Sequence, residues 1–143
     1  MTVREYLEKP KMLKEEIQND KDRIAEMRSI VERCTTRLGF TAGTNPSKNE
    51  DAFESVMLDI TEAEEKLEKK IISLAKLEFD ILNLIGTLNN SRQQAVLIAK
   101  YLDGLTWGNI GRKAHVCSRQ AQRLEQEAIA ILERTTNFVV PWR

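Results

Sequence analysis

Two long apolar stripes, a break between them and a series of short amphipathic pieces make up the pattern of this chain. Stepping by three and four from Leu13 meets Ile17, Asp20, Ile24, Met27, Val31, Cys34 and Leu38. Seven of those eight positions are apolar or behave so when buried, which is a heptad seam with Asp20 as its single breach. Thr2-Val3-Arg4-Glu5 has the form of a capping box, so a helix is expected to begin almost at once. Pro10 is expected to interrupt that helix or to mark the first turn of a new one.

Residues 39–48, GFTAGTNPSK, concentrate residues that favour turns and predict a loop. Ser47-Lys48-Asn49-Glu50 is a second capping box and predicts the start of the next helix. From there a second seam runs through Phe53, Val56, Ile60, Ala63, Leu67, Lys70, Leu74, Leu77, Ile81, Leu84 and Leu88. Ten of its eleven positions are apolar, with Lys70 the exception. Such a one-sided helix must have its stripe covered. Folding the first helix back across the loop as an antiparallel hairpin covers both stripes and brings Asp20 near Lys66 and Lys70. The alternative is that the seams pair between two chains, which makes the coiled coil a dimer interface.

Past Gly86, which marks a bend or a close contact, the pattern shortens. Asn89-Asn90 ends the long helix, and Ser91-Arg92-Gln93-Gln94 is a third capping box. The helix it opens shows Ala95, Ile98, Ala99 and Leu102 on one face, flanked by Val96 and Tyr101, and Asp103-Gly104 stops it. Thr106 can cap the next helix, in which Trp107, Ile110 and Ala114 share a side. His115-Val116-Cys117 is a turn with Val116 as its apolar plug. The last helix starts at Cys117 or Ser118 and turns Ala121, Leu124, Ala128 and Leu132 inward. Its outward face opens with Ser118, Arg119, Gln120, Gln122 and Arg123, residues able to donate to phosphates and to base edges in a major groove. The apolar tail Phe138-Val139-Val140-Pro141-Trp142-Arg143 is expected to dock on its own domain or on a partner. The fold class is therefore all-α: a coiled-coil helical hairpin over residues 1–86, then a helix-turn-helix domain with an apolar tail over 87–143.

Charge sharpens the division. The formal net charge is zero, but residues 1–88 carry 14 Lys/Arg against 18 Asp/Glu, and residues 89–143 carry 8 against 4. Only the second part suits a polyanion. Between Arg112 and Arg123 there are four basic residues and no acidic one. The two cysteines, Cys34 and Cys117, are far apart and belong to no metal-binding spacing, which fits a reducing compartment. No apolar run approaches the roughly 20 residues that span a bilayer. The chain is expected to be soluble and cytoplasmic, with no membrane partner.

With these pieces in order, the run Leu88, Arg92, Val96, Tyr101, Leu102, Gly104-Leu105-Thr106-Trp107, Ile110-Gly111, Val116, Ala121, Leu124, Ala128 and Leu132 resembles region 4 of the bacterial sigma-70 family. The likeness covers about 50 of the 143 residues, without a gap. Together with its coiled-coil leader the chain looks like the small prophage proteins of Gram-positive bacteria akin to late-gene transcriptional regulators of the ArpU and RinA type. The resemblance implies that the last helix enters the major groove, with Ser118, Arg119, Gln120, Gln122 and Arg123 at base edges and Arg112 and Lys113 at backbone phosphates. Two departures matter: the family pattern has Ser as the helix cap and Gly in the turn, where this chain has Cys117 and His115. If Ser118 takes over as cap, the helix start shifts by one.

Other chemistries have weaker footing. His115 and Cys117 lack a held nucleophile–base geometry. Gly104, Gly108 and Gly111 follow no strand, so they form no phosphate loop. Asn89-Asn90-Ser91 matches a glycosylation acceptor that a cytosolic chain would not use. Glu62, Glu64, Glu65 and Glu68 read as a solvated acidic band. No catalytic residue, metal, cofactor or small-molecule substrate is assigned, and the chain is not expected to be an enzyme. Two functions remain: a regulator that reads double-stranded DNA, with a homodimer as one way to span two half-sites, or an adaptor that binds RNA polymerase or another protein through the coiled coil or tail.

Overall fold

A computed structural model describes residues 2–38 and 46–135, with side chains placed for 2–34 and 51–135. The apolar tail, the centre of the loop and the side chains of the second capping box lie outside the described residues. Every described element is helical: α1 (Val3–Leu38), α2 (Pro46–Ile85), α3 (Ser91–Leu97) followed by a π-helical turn (Ile98–Leu102), α4 (Trp107–Ala114) and α5 (Ser118–Thr135). None of the described helices is long and apolar enough to cross a membrane.

The chain divides into two units, Met1–Lys14 with Leu74–Arg143, and Glu15–Ser73. The start of α1 and the end of α2 belong with α3–α5 because they share a core. Val3, Tyr6 and Leu7 are buried with Ile81, Ile85, Leu88, Leu97, Tyr101, Ala128, Ile129 and Leu132. Fully burying a side chain such as Leu7 or Ile81 contributes about 1.5–3 kcal/mol, so this cluster is the main source of the unit's cohesion.

Several helix boundaries differ from the sequence expectation. The Thr2 capping box forms as read: Thr2 N donates to Glu5 Oε2 and Glu5 N to Thr2 Oγ1, both at 3.2 Å. Pro10, however, does not interrupt α1; it lies inside the helix with its ring fully buried. The proline removes one helical hydrogen bond, and packing in the core offsets that loss. Pro46 is already helical, so Ser47 is not a cap, and a proline at the first helical position suits its fixed φ. At the far end α2 stops at Ile85, and Gly86 begins a tight turn in which Thr87 N donates to Leu84 O (3.1 Å) and Leu88 N to Ile85 O (3.0 Å). Gly86 therefore lies in a turn and not inside a helix. The cap of α3 is Asn90, whose side chain accepts from Arg92 N at 2.9 Å and Gln93 N at 3.4 Å. Asparagine caps as well as serine, so Ser91 becomes the first helical residue instead.

In the second unit α1 and α2 pair antiparallel. Lys70 Nζ donates to Asp20 Oδ2 at 2.7 Å, and Arg28 forms an ion pair with Glu64. As the numbers rise along α1 they fall along α2, so the two breaches of the seams meet within one chain, Asp20 on Lys70. The hydrogen bond to Asp20 is the first reason the Lys70 ammonium holds its proton more tightly than an ordinary lysine. Ile24 is buried between these ionic rungs, and Ile17 and Ile60 are buried just beyond them. Cys34 and Val56 are exposed although they continue the seams, because a two-helix pair covers each stripe from one side only.

Candidate nucleic-acid interface

The α4–α5 pair is assembled around a second apolar cluster in the first unit. Val96, Ala99, Ile110 and Ala121 are buried together, and Leu105, Trp107, Ala114, Val116 and Leu124 pack against them. Thr106 caps α4 as expected, its hydroxyl accepting from Asn109 N at 3.4 Å. Lys100 places its ammonium 4.4 Å from the centre of the Trp107 ring, a cation–π contact that ties the π-helical turn to α4. The expected inner face of α3 needs one correction: Ala95 is exposed, whereas Val96, Leu97, Ala99 and Tyr101 are buried. Val96 and Ala99 serve the second cluster while Leu97 and Tyr101 serve the first, and the π-helical turn between them shifts the periodicity that a regular helix would keep.

The turn after α4 is tight. His115 adopts a left-handed conformation (φ 59°, ψ 41°), and Val116 N donates to Gly111 O at 2.9 Å. A Cβ on Gly111 would stand 2.7 Å from Val116 O, so only glycine lets α4 approach this closely. His115 occupies a conformation that glycine takes without strain. Helix α5 begins at Ser118, and Ala121 N donates to Cys117 O at 2.9 Å. Cys117 thus precedes the first helical residue, and the one-residue shift to a Ser118 cap does not occur.

All seven residues singled out from the sequence are exposed: Arg112 and Lys113 at the end of α4, and Ser118, Arg119, Gln120, Gln122 and Arg123 at the start of α5. Arg119 and Arg123 lie one turn apart on the side away from Ala121, Ala128 and Leu132. No family model, curated protein or solved structure matches this chain. The seven residues differ in what already holds them. Lys113 Nζ lies 3.2 Å from Asp103 Oδ2, whereas Arg112, Arg119 and Arg123 make no ion pair among the described residues.

Sequence reasoning missed the polar core behind this surface. Glu125, on α5, is 3% exposed; it accepts from the Tyr101 hydroxyl at 2.7 Å and forms an ion pair with Arg4 at 3.1 Å. Burial, then the hydrogen bond to Glu125, keeps the Tyr101 hydroxyl protonated well above the usual phenol range. A signal was present: 121, 125, 128 and 132 follow helical spacing, which puts Glu125 on the same inner side as Ala121, Ala128 and Leu132. Lys14 was also missed. Its ammonium donates to Leu102 O at 2.7 Å and pairs with Glu78 at 3.0 Å, satisfying a carbonyl at the end of the π-helical turn.

Among the remaining candidates, Cys34 and Cys117 are both free and exposed. No group of three or more His, Cys, Asp or Glu side chains gathers as metal ligands among the described residues. The α4–α5 surface can therefore offer charge and hydrogen-bond donors to an anion from a rigidly packed base, and it carries no described bond-making constellation.

Proposed function

We propose that this chain is a DNA-binding transcriptional regulator whose helix-turn-helix consists of α4, the turn at residues 115–117 and α5. The observation that carries this reading is the pairing of two faces. The inner sides of α4 and α5 share one apolar cluster, and their outer sides present Arg112, Arg119 and Arg123 exposed and without an ion pair among the described residues. In this reading Arg112 and Lys113 attach to backbone phosphates, giving binding that weakens with salt as counterions are released. Ser118, Arg119, Gln120, Gln122 and Arg123 face the major groove, where arginine meets guanine and glutamine meets adenine. The resemblance to sigma region 4 and to phage late-gene regulators of the ArpU and RinA type supports the same assignment.

Selection of bound sequences from a random duplex pool, followed by titration on the selected site, tests it. Arg119→Ala or Arg123→Ala should weaken binding to that site by about 1–3 kcal/mol while leaving binding to random duplex nearly unchanged. Arg112→Ala should weaken both alike and flatten the salt dependence. A log–log salt slope near zero on random duplex would reject DNA binding and favour the adaptor role, with RNA polymerase the first partner to try.

A further inference from the structure

We propose that the cleft between the turn after α2 and the end of α5 binds a small neutral molecule through a carboxamide or lactam edge. Thr87, Asn89, Asn90 and Ser91 line it from the turn and the start of α3, and Ile131 and Thr135 from α5. Gln93 completes the lining, and all of these residues belong to the first unit. The volume of about 570 Å³ lies within the roughly 300–1,000 Å³ of pockets that hold small molecules. Gln93 is 5% exposed. Its backbone N–H donates to Asn90 Oδ1 at 3.4 Å, but its carboxamide makes no hydrogen bond among the described residues. A buried glutamine brings donors and an acceptor that need partners. The cleft is the space in which they can find one.

The lining selects the chemistry of the ligand. None of its side chains is ionisable, so a charge placed here would lose water without gaining a counter-charge. The hydroxyls of Thr87 and Thr135 already donate, each at 2.6 Å, to Leu84 O and Ile131 O, which leaves their oxygens to accept. Asn90 Oδ1 is taken by Arg92 N and Gln93 N, which leaves its amide nitrogen to donate. The side chains of Asn89 and Ser91 make no hydrogen bond among the described residues. Neutral donors and acceptors thus stand together. The carboxamide of Gln93 is complementary to a group with a donor beside an acceptor, the pairing by which glutamine meets the edge of adenine. Ile131 adds an apolar wall for the body of such a molecule. It lies about 18 Å along α5 from Arg119, so the cleft is separate from the basic surface. The inference does not rest on the DNA-binding reading.

Titration of the nitrogen-labelled full chain with uracil, which presents a lactam edge, and with nicotinamide, which presents a carboxamide, tests it by NMR. At least one probe should shift the side-chain amide resonances of Gln93 and Asn89 at millimolar concentration, as suits so small a ligand. The tighter of the two tells a nucleobase-like ligand from a carboxamide. Dimethylated uracil and dimethylated nicotinamide lack the N–H donors of their parents and should bind about tenfold more weakly. Gln93→Leu keeps the size of the side chain and has no side-chain hydrogen bond to lose, so it should fold and lose the binding. Asn89→Ala, at an exposed position, should weaken binding about threefold and serves if Gln93→Leu fails to fold. The absence of a shift with both probes overturns the proposal. So do methylated probes that bind as well as their parents, or full affinity in the folded variants.

Discussion

Tyr101 donates its hydroxyl proton to Glu125 at 2.7 Å, and the same carboxylate oxygen lies 3.1 Å from Arg4. A carboxylate 3% exposed is held here by one neutral and one charged donor, and the three residues come from α1, the π-helical turn and α5. Buried charge is tolerated only when it is paired and hydrogen-bonded, so each member depends on the others. Removing Arg4 leaves the carboxylate charged with a neutral donor alone. Arg4→Ala should therefore lower stability by about 2 kcal/mol, and Tyr101→Phe by about 1 kcal/mol, read by urea unfolding. Equal and negligible effects would show that the cluster carries no stability.

The same cluster gives an alkaline prediction. Tyr101 in the folded chain holds its proton above the ~10 of an unfolded tyrosine, with burial the first cause and Glu125 the second. A raised folded-state value means stability fully present below about pH 10 and lost as pH rises through the folded value. Thermal melts from pH 8 to 11 should show this decline. In Tyr101→Phe the fall above pH 10 should be shallower, because one proton-linked group is gone. Parallel curves would sink the assignment.

Gly111 and His115 should respond in opposite directions. Gly111→Ala drives a Cβ to within 2.7 Å of the Val116 carbonyl, which must shift the turn, at about 1–3 kcal/mol. His115→Gly relieves a left-handed non-glycine residue and should raise stability by about 0.5–1 kcal/mol after the entropy of the freer unfolded chain is counted. Calorimetric melts of both variants check the signs.

Asp20→Leu and Lys70→Leu, singly and together, test the ionic rung in the second unit. The two effects should be coupled, and the coupling should fade at 1 M salt, where the screening length falls to about 3 Å. Additive effects at every salt concentration would mean that the rung contributes only geometry.

Asp103 holds Lys113 at 3.2 Å and adds a negative charge beside the basic surface. On the DNA-binding reading, Asp103→Asn frees the ammonium, so affinity for random duplex should rise and the salt slope should steepen by up to about one counterion. Fluorescence anisotropy at several salt concentrations measures both; no change in either would place Lys113 away from the phosphates.

The sequence by itself determined whatever depends on short-range order. Heptad spacing set the two long stripes and put Asp20 near Lys66 and Lys70 for a hairpin, but only the structure decided that the pairing is within one chain and that Lys70 is the partner. Helical spacing likewise put Arg119 and Arg123 on the side of α5 opposite Ala121, Ala128 and Leu132, and Thr2 and Thr106 announced their caps. Tertiary structure alone decided the rest. Pro10 stays inside a helix because its ring is buried, a matter of packing that no local rule carries. Val3, Tyr6 and Leu7 join the core of α3–α5 because α1 returns to the end of α2, across most of the chain. Glu125 could be turned inward from its spacing, but only the arrival of Arg4 and Tyr101 makes its charge bearable there. Which polar residue a protein can bury depends on partners that are distant in sequence and adjacent in space.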